Sequence, residues 1–231
     1  MNIYGFNKTT LLDYPGKLAA TIFLGGCNFR CPFCHNSSLV LLSDSLERID
    51  EDSIFHTLNT RKGILEGVCI TGGEPTLSPG LDHFMQKIKD LGLLIKLDTN
   101  GSNPEKLKEL VHRGLVDYIA MDIKNTKEKY LTTAGLSSFH TQSIFESVDF
   151  LLAGTVAYEF RTTVVKELHT PSDLLEIGNW IKGATAYFLQ AYEDSPNTIS
   201  PGFTCYSKKE LHELCHMLKP YVQNVNLRGV D

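Results

Sequence analysis

Short runs of apolar residues alternate along the chain with longer segments in which apolar residues recur every three or four positions. The short runs predict buried strands, because each is brief and ends at turn-forming residues. These runs lie at residues 18–24, 68–71, 93–97, 116–121, 156–165 and 184–189, and a short final strand is predicted at 222–227.

The periodic segments between these runs predict helices with one apolar face. Asn103 followed by Pro104 is a typical helix start, because the asparagine caps free N–H groups and proline fits the first helical position. Ser207 and Glu210 have the spacing of a capping box. Helices are accordingly predicted at 81–91, 103–113, 144–152, 171–182 and 207–219.

Strands separated by single helices indicate parallel βα units joined by right-handed crossovers. About six such units fit the chain, which is fewer than the eight of a closed barrel. The pattern therefore predicts an α/β fold, an incomplete (β/α)6 barrel with splayed parallel strands.

A chain of 231 residues suits one domain. We expect a single domain over 1–231, with a short N-terminal extension at 1–17, a loop at 25–36, and a C-terminal helix and strand at 206–228. No linker or low-complexity tract divides the sequence, and the segment 194–205, rich in serine and proline, is expected to be a surface loop.

Composition argues against several classes of protein. Apolar residues make up 42% of the chain and charged residues 21%, as in a packed globular protein. The net charge is -5 and no basic stripe is visible, which argues against binding to nucleic acid and favours a small cofactor and a protein as partners. The first 17 residues hold no apolar signal region, and the uncharged run 18–24 is too short to span a membrane. A cytoplasmic protein is expected.

Three of the six cysteines, Cys27, Cys31 and Cys34, crowd into one loop directly after the first strand. In a reducing cytosol, clustered cysteines indicate a metal or redox site. Loops at the C-terminal ends of barrel strands are where such folds place their chemistry. A cubane 4Fe–4S cluster usually has four cysteine ligands, so three would leave one iron open for a small molecule.

Other interpretations of this loop remain open. Cys31 and Cys34 alone could form a thiol redox pair of the thioredoxin type, although Cys27 then has no role. The three cysteines with His35 could instead hold zinc. Cys69 lies within a predicted strand and is expected to be a core residue.

The spacing of Cys27, Cys31 and Cys34, with Phe33 before the last cysteine, resembles the Cys-x3-Cys-x-aromatic-Cys signature of the radical S-adenosylmethionine (SAM) superfamily. The resemblance implies a 4Fe–4S cluster on the three cysteines and reductive cleavage of SAM bound to the open iron. It also places Phe33 near the adenine of SAM.

A glycine-rich turn follows the second strand. Gly72 and Gly73 would let a ligand approach the backbone, and Glu74 could accept hydrogen bonds from an ammonium group. The alternative is an ordinary turn before a helix. In the family that it resembles, this segment binds the amino group of SAM.

Charged residues close or interrupt the next strands. Asp98 and Asp122 could form an anionic pocket, and Lys124 could pair with a carboxylate; the alternative is a turn and a solvated strand end. The motifs resemble those of glycyl-radical-enzyme activating enzymes. That resemblance implies a monovalent cation held by Asp98 and Asp122 beside SAM, and contacts of Asp98, Lys124 and Arg161 with SAM. Gln190 stands where the pyruvate formate-lyase activating enzyme has a histidine.

The predicted barrel has no further domain to enclose a small substrate, so a loop of another protein is a suitable substrate. The segments 11–17, 34–36 and 226–229 resemble activating proteins of anaerobic ribonucleoside-triphosphate reductase, and the resemblance covers nearly the whole chain. It implies abstraction of hydrogen from a glycine of that partner, with flavodoxin or ferredoxin as electron donor. Asp13 would lie in the loop near the glycine, or would simply begin a turn before Pro15.

Two other functions remain open at this point. The chain could activate pyruvate formate-lyase or another glycyl radical enzyme, or it could act on a small metabolite by the same radical chemistry.

Overall fold

The computed structural model describes residues 1–43 and 46–230. Within these residues one eight-stranded sheet runs in the order β1 to β8 without interruption. Its strands are β1 (Ile3–Thr10), β2 (Ala19–Leu24), β3 (Gly67–Gly72), β4 (Leu94–Thr99), β5 (Tyr118–Asp122), β6 (Ala157–Val164), β7 (Ala186–Ala191) and β8 (Asn224–Arg228).

Helices connect these strands. They are α1 (Ser37–Leu41), α2 (Glu51–Thr60), α3 (Leu81–Asp90), α4 (Pro104–His112), α5 (Tyr130–Thr133), α6 (Gln142–Leu152), α7 (Pro171–Trp180) and α8 (Lys208–Leu218), with a 3-10 turn at Pro75–Leu77. The predicted caps are present: Asn103 accepts a hydrogen bond from Lys106 N, and Ser207 with Glu210 forms the capping box of α8.

The predicted α/β fold with an open sheet is confirmed. Strands β2 to β8 are parallel to one another, and the pairing order leaves β1 and β8 as the two edges of the described sheet. Strand β1 was not predicted, because the extension at 1–17 gave no apolar run. It pairs antiparallel with β2, so Ile3 lies beside Leu24 and Thr10 beside Ala19.

The two faces of the sheet differ in chemistry. Side chains alternate between faces along a strand, so neighbouring registers form separate rows. One row is fully buried and apolar, and it joins the helix residues in one core; it comprises Ile22, Ile70, Leu97 and Ile119. The adjacent row lines the concave face and is largely polar; it comprises Thr21, Cys69, Lys96 and Tyr118.

Among the described helices, none is long and apolar enough to cross a membrane.

Candidate active site

A cavity of about 280 Å³ opens at the C-terminal ends of the parallel strands. Its walls come from the loop after β2 and from the ends of β3 to β7. Of the residues singled out from the sequence, those lining it are Cys27, Cys31, Phe33, Cys34, His35, Gly72, Gly73, Asp98, Asp122, Lys124, Arg161 and Gln190. The topology thus brings distant motifs to one mouth, as expected for this class of fold.

The three clustered thiols share this cavity, and all are free of disulfides. A tight turn joins Cys31 O to Cys34 N at 3.0 Å, and the backbone N–H of Phe29 points at Cys27 Sγ at 3.4 Å. Burial raises the pKa of Cys27 to about 11 and that of Cys31 to about 12. A bound iron would favour the thiolate forms. Three free thiols on the walls of one cavity, with an N–H donor beside one of them, are the type of ligand that an iron–sulfur cluster takes, although within the described residues their sulfurs are not yet grouped closely enough to hold a metal ion.

The alternative of a zinc ion fits less well. His35 Nε2 lies 2.6 Å from the Glu193 carbonyl oxygen, and the imidazole packs beside the ring of Tyr192. To ligate an ion together with the thiols, His35 would have to give up this contact. The neighbouring Asn36 has a different task, since its Nδ2 donates to Gly72 O at 3.0 Å and ties the cysteine loop to the end of β3.

Both glycines after β3 are required by the close approach of another backbone segment. Gly72 has φ +115°, and a Cβ there would lie 2.3 Å from Leu24 O. A Cβ on Gly73 would lie 2.0 Å from Gly26 O. The chain therefore needs glycine at both positions to pack the cysteine loop against β3. Both glycines also line the cavity, where a ligand could reach their backbone.

Glu74 does not line the described cavity, which changes the role expected for it. Its carboxylate is 1% exposed and accepts four hydrogen bonds, from Thr76 N and Oγ1, Thr99 Oγ1 and Asn100 N, at 2.6–3.0 Å. Burial raises the pKa of this carboxyl in spite of the four donors. Its side chain joins the loop after β3 to the loop after β4, and its contact with SAM stays a prediction.

Glu74→Ala is therefore expected to destabilise the protein itself. Four buried donors would lose their acceptor, at a cost of about 3 kcal/mol or more, while Glu74→Gln keeps one acceptor oxygen and should lose less. Urea unfolding of the cluster-free protein measures this, with the exposed Glu105→Ala on α4 as control. Wild-type stability of Glu74→Ala would contradict the structural role.

The charged residues at the strand ends form one continuous chain of ion pairs. Arg161 bridges the two carboxylates, with Nη1 3.0 Å from Asp98 Oδ2 and Nε 2.9 Å from Asp122 Oδ1. Lys124 Nζ lies 2.9 Å from Asp122 Oδ2, and Lys96 Nζ bonds to Asp98 Oδ1. Each of the four carboxylate oxygens thus has a cationic partner.

This arrangement differs from the anionic pocket expected from the sequence. The guanidinium of Arg161 pairs with one oxygen of Asp98 and one of Asp122, and the monovalent cation predicted on these two aspartates stays a prediction. The physical reason is the charge balance: the buried Lys96 and the partly buried Arg161 and Lys124 surround two carboxylates. The surplus is one positive charge, which suits an anionic group such as the carboxylate of an amino acid.

The pKa values follow from these pairs. Burial would raise the pKa of Asp122, but Arg161 and Lys124 outweigh it and hold the pKa at about 2. The pKa of Asp98 is likewise lowered, because Arg161 and Lys96 outweigh its burial. Burial would lower the pKa of Lys124, but Asp122 raises it. Asp98, Asp122 and Lys124 are therefore charged at neutral pH.

The contribution of Asp122 to the free energy of unfolding is expected to depend on pH in the acid range. Its pKa is 3.8 in an unperturbed chain and about 2 in the fold, so its stabilisation is present above pH 4 and is lost as the pH falls towards 2. The shift corresponds to roughly 2 kcal/mol. Asp122→Asn should flatten this part of the pH profile of the free energy of unfolding, and the exposed Asp149→Asn on α6 should not. An unchanged profile in Asp122→Asn would contradict the assignment.

Asp13 lies at the other end of the strands from the cysteine loop. Because β1 is antiparallel to β2, the loop after β1 sits where the parallel strands begin. The Asp13 carboxylate accepts a hydrogen bond from Thr21 Oγ1 on β2. Thr21 lies three residues before Leu24, the last residue of β2, so about 10 Å of strand separates this contact from the cysteine loop. The loop thus reaches the concave face from below the cavity.

Several site residues were not predicted from the sequence. Lys96 interrupts an apolar strand, the same signal that drew attention to Arg161. His169 is fully buried; Nε2 lies 2.7 Å from Lys124 O, and its ring packs edge-on against Phe33. Glu159, also fully buried, pairs with both terminal nitrogens of Arg228 on β8. Nothing local in the sequence marks His169 as a partner of the strand end.

Comparison with known proteins shows the family to which the chain belongs. The sequence profile described as the Radical SAM superfamily matches residues 21–153. A Methanocaldococcus jannaschii protein named "Putative glycyl-radical enzyme activating enzyme" is 30% identical over 99% of this chain and 96% of its own length. A pyruvate formate-lyase-activating enzyme of Staphylococcus aureus is 29% identical over 60% of this chain and 59% of its own. The fold of Streptococcus suis SuiB bound to S-adenosylmethionine gives a TM-score of 0.69 at 13% identity, covering 90% of this chain and 52% of that one.

The chain belongs to the radical SAM superfamily, whose enzymes use a 4Fe–4S cluster and SAM. Within it, the chain falls in the family of glycyl-radical enzyme activating enzymes.

Proposed function

We propose that this protein holds its 4Fe–4S cluster on Cys27, Cys31 and Cys34, binds SAM in the adjoining cavity, and abstracts hydrogen from a glycine of an anaerobic ribonucleoside-triphosphate reductase. The observation that carries the proposal is the presence of three free thiols and a surplus positive charge on the walls of one cavity. When bound, a reduced cluster supplies the electron that cleaves SAM to methionine and a 5′-deoxyadenosyl radical. The side chains around it bind and orient.

The cavity offers a separate contact for each part of SAM. Lys124 and Arg161 carry the surplus charge and would hold the carboxylate of the methionine moiety. The backbone at Gly72 and Gly73 would accept from its ammonium group, in place of the buried Glu74. Phe33 lies on the wall and would pack against the adenine.

Asp98 and Gln190 also line this cavity. Asp98 would orient Arg161 towards SAM, because one of its oxygens is 3.0 Å from the guanidinium. Gln190 at the end of β7 offers an uncharged amide to the same space. The two aspartates would not themselves need a monovalent cation, since their oxygens already have partners.

The proposed reaction moves one hydrogen atom from the glycine of the partner to the 5′-deoxyadenosyl radical. One electron, supplied by a reduced flavodoxin or ferredoxin, is consumed in each cleavage of SAM. The glycine Cα–H bond then breaks, the hydrogen atom joins the 5′ carbon to give 5′-deoxyadenosine, and the partner keeps a glycine-centred radical. No side chain has to act as acid or base in this transfer.

A protein substrate suits the shape of the sheet. Strands β1 and β8 are not paired with each other in the described sheet, so the concave face is open at the side. A loop of a partner could enter there, close the site and exclude water. Asp13 approaches the same concave face from the opposite end, and its carboxylate would contact that loop. The proposed location is the cytoplasm, where thiols stay reduced.

The experiment is activation of a partner under anaerobic conditions. Cluster-loaded protein, SAM and a reductant are mixed with anaerobic ribonucleoside-triphosphate reductase or with pyruvate formate-lyase, and electron paramagnetic resonance is recorded. The proposal expects a persistent glycine-centred doublet with the reductase. A doublet only with pyruvate formate-lyase would show that this enzyme is the partner instead, as the name of the Staphylococcus aureus relative suggests. No doublet with either would contradict activation of a protein glycine.

A further inference from the structure

Lys96 is a buried lysine in the middle of an otherwise apolar strand. Its side chain is 2% exposed, and it does not line the described cavity. It stands two residues before Asp98 on β4, so both side chains point to the concave face. Its ammonium bonds to Asp98 Oδ1 and lies 3.6 Å from Cys69 Sγ. Lys96 therefore contacts one oxygen of the Asp98 carboxylate, and Arg161 contacts the other.

A lysine in this position needs an explanation, because burying an ammonium is costly unless it is paired. The groups around it are one carboxylate, Asp98, and the uncharged neighbours Cys69 and Tyr118 in the adjacent registers. Without Lys96, Asp98 would have a single cationic partner, Arg161, which contacts Oδ2. Lys96 adds a second cation on the far oxygen, so that the carboxylate is held from both sides.

Lys96 therefore supplies a fixed positive charge at the inner end of the ion-pair chain. A hard metal cation is bound through oxygen ligands such as carboxylates. Both oxygens of Asp98 already have a cationic partner, Oδ1 in Lys96 and Oδ2 in Arg161, so its negative charge is compensated without a metal ion. Lys96 already supplies the positive charge that a dissolved cation would bring to Asp98.

We propose that Lys96 is a resident counter-cation of Asp98, and that it keeps Arg161 in place so that the protein binds SAM without a monovalent metal ion from solution. Lys96 is a positioning residue in this account, since it acts on SAM only through Asp98 and Arg161. The inference rests on the proposed placement of SAM in this cavity and is independent of which partner is activated.

The experiment measures SAM binding to cluster-loaded protein by calorimetry, in potassium chloride and in choline chloride at equal ionic strength. Wild-type protein is expected to bind SAM with the same affinity, within about twofold, in both salts. Lys96→Met keeps the length of the side chain and removes its charge. In choline chloride this variant should bind SAM roughly ten- to a hundredfold more weakly, as for the loss of one charged hydrogen bond.

Potassium distinguishes an electrostatic role from a structural one. In Lys96→Met the freed oxygen of Asp98 can take a potassium ion, so potassium chloride should restore much of the affinity. A general packing defect would respond equally to both salts. Lys89→Met is the matched control, because Lys89 also pairs with an aspartate, Asp117, outside the cavity, with its Nζ 2.9 Å from both carboxylate oxygens. It should bind SAM like wild type in both salts.

Three results would overturn the proposal. Wild-type binding that requires potassium would show that the site takes a dissolved cation, and this arm stands even if Lys96→Met does not fold. Wild-type affinity of Lys96→Met in choline chloride would show that the charge is not needed, and a loss that potassium leaves unchanged would show a structural role only. If wild-type protein bound no SAM in either salt, the placement of SAM and the proposed function would fail as well.

Discussion

Cys31→Ala is expected to abolish SAM cleavage completely. Cys31 is the most buried of the three thiols on the cavity, and only 6% of the residue is exposed. With one of three ligands gone, the cluster should not assemble, since no other thiol lines the described cavity. Iron content should fall from about four per chain in the wild type, and 5′-deoxyadenosine, measured by chromatography after reduction, should be undetectable.

Two other cysteines provide the controls. Cys205 and Cys215 lie outside the cavity, Cys205 bonded to Val164 O and Cys215 buried in the core with α8. Cys205→Ala and Cys215→Ala should keep both the iron and the cleavage of SAM. Full iron content with undiminished cleavage in Cys31→Ala would remove the basis for the cluster assignment.

Arg161→Ala should cost the protein both stability and SAM binding. Arg161 is the only described residue that bridges Asp98 and Asp122, and its side chain is 11% exposed. Removing it leaves the partly buried carboxylates of Asp98 and Asp122 short of a partner; the loss of one partner of a fully buried pair costs about 3–5 kcal/mol, so a cost of up to that size is expected. Arg161→Lys keeps the charge but not the fork of two donors, so it should recover only part of the loss.

Urea unfolding of the cluster-free protein and calorimetric SAM titration of the loaded protein measure the two effects. The control is Arg113→Ala, since Arg113 also bridges two carboxylates, those of Asp82 and Glu109, but on the surface with 43% of its side chain exposed. Little change is expected there. If Arg161→Ala changed stability and SAM binding as little as Arg113→Ala, the role of the ion pairs around Asp98 and Asp122 in both would be contradicted.

Much of the fold could be predicted because buried parallel strands are nearly continuous apolar runs. The run at 184–189 is such a case, and it overlaps β7 at Ala186–Ala191. Strand β1 was missed because its sequence, Ile-Tyr-Gly-Phe-Asn-Lys-Thr-Thr, contains exposed polar residues and no clean alternation. It is an edge strand held mainly by its pairing with β2, and that pairing leaves no periodic signal.

The candidate site could be predicted at the level of residues and not of their contacts. Strand ends in a parallel sheet meet at one mouth, so Asp98, Asp122 and Arg161 were expected together. The sequence does not state where a carboxylate points: Glu74 turns to backbone N–H groups, and the two aspartates turn to cations. Lys96, one of the two cations on Asp98, was passed over as part of an apolar strand.

The most direct measurement of the account follows the hydrogen atom itself. Anaerobic ribonucleoside-triphosphate reductase is prepared with deuterium at the α-carbon of its glycines and is incubated with cluster-loaded protein, SAM and reductant. Mass spectrometry of the 5′-deoxyadenosine should find one deuterium, in step with the growth of the glycine-centred doublet. Unlabelled 5′-deoxyadenosine from every deuterated glycyl radical enzyme, together with transfer of deuterium from a labelled small metabolite, would contradict the proposed function.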